Sequence, residues 1–207
     1  MIAKYFLLSL VTAFATTAAA QSTDGARLVI APGSELSFEG TSTLHAFHCK
    51  TTKFEAVVNV DPTYTGAKLS QVKSLVRSVE VVIPVKSLSC GSKGLEESMF
   101  KTLKADKFPE IRYHLSTYQL AGDATNDGVT LQAVGTLTIA GQQKTIAMSV
   151  KTDRGANGSA SAAGTQEILM TDFGIKPPVF MLGTLRTGNK VTVSFKLNAT
   201  PSAVAIQ

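Results

Sequence analysis

Cysteine is scarce in this 207-residue chain: Cys49 and Cys90 are the only two, and tryptophan is absent. Two cysteines so far apart cannot build a zinc site. Charge of one sign never accumulates either. The 20 Lys and Arg residues exceed the 15 Asp and Glu residues, but they are scattered and form no run. Nucleic-acid binding needs a basic stripe, so no nucleic-acid partner is expected. Beyond the N-terminus no stretch is apolar for long enough to cross a bilayer, and no membrane segment is expected in the mature chain.

Catalytic signatures are missing as well. There is no G-x-S-x-G elbow, no H-E-x-x-H, no P-loop and no G-x-G-x-x-G. Histidine is limited to three residues, and His45 and His48 form an H-x-x-H. On a helix that spacing offers two ligands on one face. Here the flanking residues read as turn and strand, which sends the two rings to opposite faces. No carboxylate nearby supplies a third ligand. The chain is therefore expected to be no enzyme and to need no metal or cofactor. A triad built from distant segments leaves no local mark, so an unrecognised catalytic site stays open.

What is present begins with a leader. Lys4 gives a positive start, an apolar stretch follows from Tyr5 to about Ala15, and Ala18-Ala19-Ala20 precedes Gln21. This is the pattern of a signal peptide over residues 1–20, with one domain over 21–207 in the periplasm or outside the cell. In an oxidising compartment an even cysteine count predicts a Cys49–Cys90 disulfide.

Period-2 alternation dominates the remainder. Phe54, Ala56, Val58 and Val60 share one face, as do Val79, Val81 and Ile83, and Ile111, Tyr113 and Leu115. Val129, Leu131, Ala133, Leu137 and Ile139 follow, then Ile146, Met148 and Val150, and last Val191, Val193, Phe195 and Leu197. Each set alternates with polar residues, so each segment reads as a strand with one buried and one wet face. With shorter candidates at Arg27–Ile30, Glu35–Phe38 and roughly Ser159–Met170, about eight strands are predicted, joined by turns such as Ala121–Gly128. One helix interrupts them at roughly 94–105, with Leu95, Met99 and Leu103 stacked on one face. The fold class is all-β. Eight antiparallel strands can bury their apolar faces by closing into a barrel, although the pattern leaves a two-sheet sandwich open. A membrane barrel is disfavoured because Glu55, Glu80, Arg112 and Lys196 occupy the wet faces.

The apolar faces include small residues, among them Ala56, Ala133, Gly135, Ala160, Ala162 and Gly164. They permit either an internal tunnel or a filled core. Tunnel-wall candidates are Val81, Ile83, Tyr113, Leu115, Leu131, Ala133, Leu137, Met148, Val193 and Phe195. The apolar segment Phe173–Leu182 and the helix supply lid candidates: Met99, Phe100, Leu103, Phe173, Phe180 and Met181. Lys107 and Lys176 lie near these segments as contacts for an anionic head group.

Five stretches, in order, resemble the YceI-like family of exported, lipocalin-like proteins. They are Ser34-Glu35-Leu36-Ser37-Phe38, then Gly40-Thr41-Ser42-Thr43-Leu44-His45-Ala46-Phe47, and the helix exit from Met99 to Lys107-Phe108-Pro109-Glu110-Ile111. The others are Val134-Gly135-Thr136-Leu137-Thr138-Ile139-Ala140-Gly141-Gln142-Gln143-Lys144 and Thr171-Asp172-Phe173-Gly174-Ile175. The resemblance implies an extended eight-stranded lipocalin-like barrel with a helix near one end. It also implies a tunnel holding a polyisoprenoid or similar amphiphilic lipid, and, as in several family members, a homodimer as one assembly to test. The alternative reading is an interaction or stress-response module with a solid core and no bound lipid.

Overall fold

The computed structural model describes residues 27–61, 75–121 and 128–202. The expected leader at residues 1–20 and most of the expected turn at Ala121–Gly128 lie outside the described residues. The strands are β1 (Arg27–Ile30), β2 (Glu35–Ser42), β3 (Ala46–Thr51), β4 (Glu55–Val60), β5 (Val76–Pro84) and β6 (Glu110–Leu120). They continue as β7 (Gly128–Ile139), β8 (Gln142–Arg154), β9 (Ala160–Leu169), β10 (Val179–Phe180) and β11 (Leu185–Pro201). Among the described residues there is one α-helix, α1 (Lys93–Thr102).

The sheet closes on itself. β1 pairs with β4 on one side and β11 on the other, and the ladder runs from β4 through β5, β6, β7, β8 and β9 back to β11. The ring is a closed eight-stranded antiparallel barrel. Two of its positions are shared by strands lying in line. β1 meets the end of β11 with Ile30 opposite Ala199, and β2 resumes along the same strand with Glu35 opposite Lys196. The jog between them is held by Ser34, whose buried hydroxyl donates to the Ala31 carbonyl at 2.8 Å and accepts from the Asn198 N–H at 2.9 Å. β3 and β4 follow the same course beside β2 and β1. At their break the buried Thr51 hydroxyl accepts the Lys53 N–H at 2.9 Å.

The two faces separate as the alternation requires. Leu28, Ala56, Val60, Val81, Val129, Leu131, Ala133 and Ile139 are buried, whereas Glu55, Glu80, Arg112 and Lys196 are exposed outside. Cross-strand polar pairs run over that outer surface: the Lys50–Glu35 ion pair at 3.0 Å, the Lys190–Glu167 ion pair at 2.8 Å, and the His48–Glu39 contact at 3.1 Å. Solvated pairs of this kind contribute at most about 1 kcal/mol each. Burial of the apolar faces outweighs them, at about 25 cal/mol per Å².

Glycines admit aromatic rings on the inner face. A Cβ on Gly135 would lie 2.5 Å from the Tyr113 ring, and one on Gly164 would lie 2.6 Å from the ring of Phe195, its cross-strand partner. β6 contains a bulge. Leu115 pairs with Gly135, but Thr117 pairs with the adjacent Val134, so Tyr118 and Leu120 take the side that odd-numbered residues hold earlier in the strand. The extra residue shifts the parity by one.

The helix predicted over 94–105 runs instead from Lys93 to Thr102. Leu103 caps it, and Lys104 turns left-handed at φ +53. That turn lets Phe108 pack on the cluster of Ile139, Ala140, Phe173 and Ile175. Ser92 occupies the N-cap position without a side-chain bond. The Glu96 carboxylate reaches back instead, accepting the Ser89 hydroxyl at 2.7 Å and the Cys90 N–H at 2.9 Å. The hydroxyl bond and then the N–H bond hold its carboxyl below the usual range. Cys49 and Cys90 form the expected disulfide, which ties β3 to the segment ahead of α1.

Candidate functional site

The barrel interior is hollow. One chamber of about 260 Å³ is bounded almost entirely by the inward side chains of the strands. All ten wall candidates face it: Val81 and Ile83 from β5, Tyr113 and Leu115 from β6, Leu131, Ala133 and Leu137 from β7, Met148 from β8, and Val193 and Phe195 from β11. A second chamber of about 280 Å³ lies toward α1. Leu36, Ile83, Leu137, Ile168 and Val193 line both, so the chambers meet at a waist.

The residues proposed as a lid divide. Met99, Leu103 and Phe173 line the second chamber, together with Leu95 and Cys49. Met99 Sδ packs 3.7 Å from Cys90 Sγ, which sets the helix against the disulfide. Phe173 is 2% exposed and belongs to the fixed core rather than to a movable flap. Phe100 lines neither chamber, because its step of about 100° around the helix turns it away from Met99. The side chains of Phe180 and Met181 lie outside the described part of the structure. Lys107 and Lys176 are exposed and line neither chamber. The Lys107 ammonium sits 5.3 Å from the Phe108 ring centroid.

Sequence reasoning missed several wall residues. Leu28, Ile30 and Leu36 belong to short strands whose place was legible but whose pairing was not. Tyr118 comes inward only because of the bulge. Ile146, Val150 and Leu197 extend alternations already noted and add to the same wall. The first chamber turns polar at one end, where Thr152, Asp153, Arg154 and Ser161 border it, and at Gln166, which lies opposite Val193 by the waist.

Electrostatically the interior is almost mute. Among the described residues the one buried side-chain polar atom without a hydrogen-bond partner is Tyr113 Oη. Burial pushes its phenol up to about 12, so it remains neutral at physiological pH. Tyr118 is also raised by burial, but its hydroxyl accepts the Val76 N–H at 3.0 Å. Among the described residues no group of three or more His, Cys, Asp or Glu could hold a metal ion. His48 pairs with Glu39 on the outer surface, and His45 is exposed in the β2–β3 turn. Nor is any described helix long and apolar enough to cross a membrane.

The YceI-like domain matches residues 29–199, from β1 to the end of the barrel in β11. This chain belongs to the YceI-like family. Solved structures share the fold at low identity. BcnA of Burkholderia cenocepacia is 20% identical over 81% of this chain and 96% of its own, with a TM-score of 0.62. A polyisoprenoid binding domain from Saccharophagus degradans, implicated in plant cell wall breakdown, is 14% identical over 85% of this chain and 98% of its own, with a TM-score of 0.64. The Campylobacter jejuni YCEI protein is 17% identical over 75% of this chain and 84% of its own, with a TM-score of 0.56. No curated protein matches the chain.

Proposed function

We propose that this YceI-like protein is an exported carrier that holds a long apolar lipid of the isoprenoid type inside its barrel and performs no chemistry on it. The observation that carries this reading is the pair of apolar chambers in series, walled by the inner faces of the barrel strands. A solid-core interaction module would need those faces to fill the interior, and they leave it hollow. The leader pattern at residues 1–20 and the disulfide support export. The Saccharophagus neighbour, described as a polyisoprenoid binding domain, supports the cargo class.

The mechanism is physical. Each CH₂ moved from water into the tunnel contributes about 0.8 kcal/mol, so a chain of many carbons binds tightly even after its ordering cost. An extended isoprenoid suits a narrow apolar bore. A charged head would stay near a polar end, because burying an unpaired charge among aliphatic side chains is prohibitive.

Native mass spectrometry of the protein purified from an exporting host, with solvent extraction of bound material, tests the reading. A co-purifying isoprenoid on the mature chain is the expected result. A clean unliganded mass that persists after incubation with solubilised prenols would shift the reading to the interaction module. Leu131→Trp gives a second check, since Leu131 is buried on the wall of the first chamber. The larger ring should weaken isoprenoid binding about tenfold or more, on the scale of roughly 1.4 kcal/mol per decade. Unchanged affinity would remove Leu131 from the wall.

A further inference from the structure

The mouth of the second chamber carries apolar side chains that the tunnel does not use. The chamber's lining runs outward to Ser42, His45, Pro178, Leu185 and Thr187. Two hairpin tips stand beside these residues, one joining β2 to β3 and the other joining β10 to β11. They are hydrogen-bonded to each other: the Thr43 N–H donates to the Arg186 carbonyl at 3.0 Å, and the Thr43 hydroxyl donates to the Thr184 carbonyl at 3.3 Å. Each tip presents a leucine to solvent. Leu44 is 72% exposed, Leu182 is fully exposed, and Val179 on the flank is 56% exposed.

Leu182 also stands where its backbone disfavours it. It has φ +55 and ψ 32, and Gly183 follows at φ +96. Hairpin turns with this left-handed pair select Asn-Gly or Asp-Gly, because a β-carbon is penalised there. A leucine in that place loses backbone comfort and, in water, gains no packing. An apolar phase beyond the tip would supply the missing gain.

Charge indicates which phase. From Phe173 to Asn189 the sequence holds Lys176 and Arg186 and no acidic residue, and Gly40 to Cys49 holds none either. Arg186 is exposed and uses its Nε on the Gly183 carbonyl, which points its guanidinium along the tip. Exposed leucines flanked by the Arg186 guanidinium, with no carboxylate in either tip, match a membrane surface with anionic head groups. We propose that the paired tips around Leu44 and Leu182 dock the mouth of the tunnel onto an anionic lipid bilayer. The choice of a bilayer as partner rests on the lipid-carrier reading, since that is where such a cargo resides.

The test uses the mature chain and two sets of vesicles, phosphatidylcholine alone and phosphatidylcholine with phosphatidylglycerol. The wild type should float with the anionic vesicles and release as salt rises. Leu44→Ser with Leu182→Asn should weaken flotation about tenfold or more. The melting temperature should hold or rise, because asparagine tolerates the left-handed turn. Wild-type protein that never floats, or a double variant that floats as well as wild type, overturns the proposal. So does a dimer in sedimentation that the double variant dissolves without any vesicle binding, since the tips would then serve a second copy. Binding of a solubilised prenol, measured in parallel, separates the two readings. Flotation that the tip substitutions abolish supports docking whatever the tunnel holds. An empty tunnel in the same preparations counts against the carrier reading alone.

Discussion

Tyr113 concentrates the residue-scale physics of the barrel. Its ring lies across Gly135, and its hydroxyl, sealed among aliphatic side chains, has no partner. An unsatisfied buried hydroxyl costs about 1–3 kcal/mol, so Tyr113→Phe should stabilise the unliganded protein by roughly 1 kcal/mol in denaturant titrations. The same residue gives the protein an alkaline signature. Burial pushes the phenol up to about 12, whereas an unfolded chain releases that proton near pH 10. The folded state thus holds a proton that the unfolded state has lost, and stability is intact below pH 10 and falls as pH rises towards 12. Denaturation midpoints measured across that window should fall less steeply for Tyr113→Phe than for wild type; superimposable profiles would assign the alkaline loss to another group. Gly135→Ala is the steric counterpart. The new methyl would meet both the Tyr113 ring and the His114 carbonyl at 2.5 Å, and a loss of about 1–3 kcal/mol is expected. Period-2 alternation made the inward direction of Tyr113 legible in the sequence. Its missing partner was not, because that depends on every strand around it.

At the scale of elements, long uninterrupted strands were the legible part. β7, β8 and β11 show their faces in the alternation of single residues, and the eight of the ten wall candidates that lie on them and on β5 follow directly from it. The bulge in β6 was hidden, because one extra residue reverses the parity without altering the composition. The in-line pairs β1 with β2 and β3 with β4 were hidden for another reason: each reads as two short strands until β11 supplies a common partner. α1 is the element that depends most on its attachments. It buries none of its residues fully. Its start is held by the disulfide, by the bonds from Ser89 and Cys90 to Glu96, and by Met99 against the sulfur. Replacing Cys49 and Cys90 together with serine should lower stability by up to about 4 kcal/mol on the chain-entropy account. Amide exchange should rise first over Gly91–Leu103 and only later in β7 and β8. Uniform acceleration throughout the barrel would mean that the bridge secures the whole ring and not the helix.

On the scale of the whole molecule, closing the sheet converts eight amphipathic strands into one bore with charge outside and hydrocarbon within. No single strand specifies that bore. It arises because small residues on the inner face, Ala133 on β7 and Ala162 on β9 among them, leave room that leucine and isoleucine across the barrel do not fill. The waist at Leu36, Ile83, Leu137, Ile168 and Val193 then makes chain length a measurable variable. A short isoprenoid fits within one chamber, and a longer one gains further only by threading the waist. Wild-type affinity for a series of prenols should therefore climb with length until both chambers are occupied, at about 0.8 kcal/mol for each added CH₂ that becomes buried. Val193→Trp should narrow the waist at an overpacking cost of about 1–3 kcal/mol in stability. Affinities for short prenols should persist in that variant and stop rising at a shorter length than in wild type. Native mass spectrometry or displacement of a fluorescent prenol reads both curves. A variant curve shifted by the same factor at every length would mean that no chain passes between the chambers, and that the cargo lies in one of them alone.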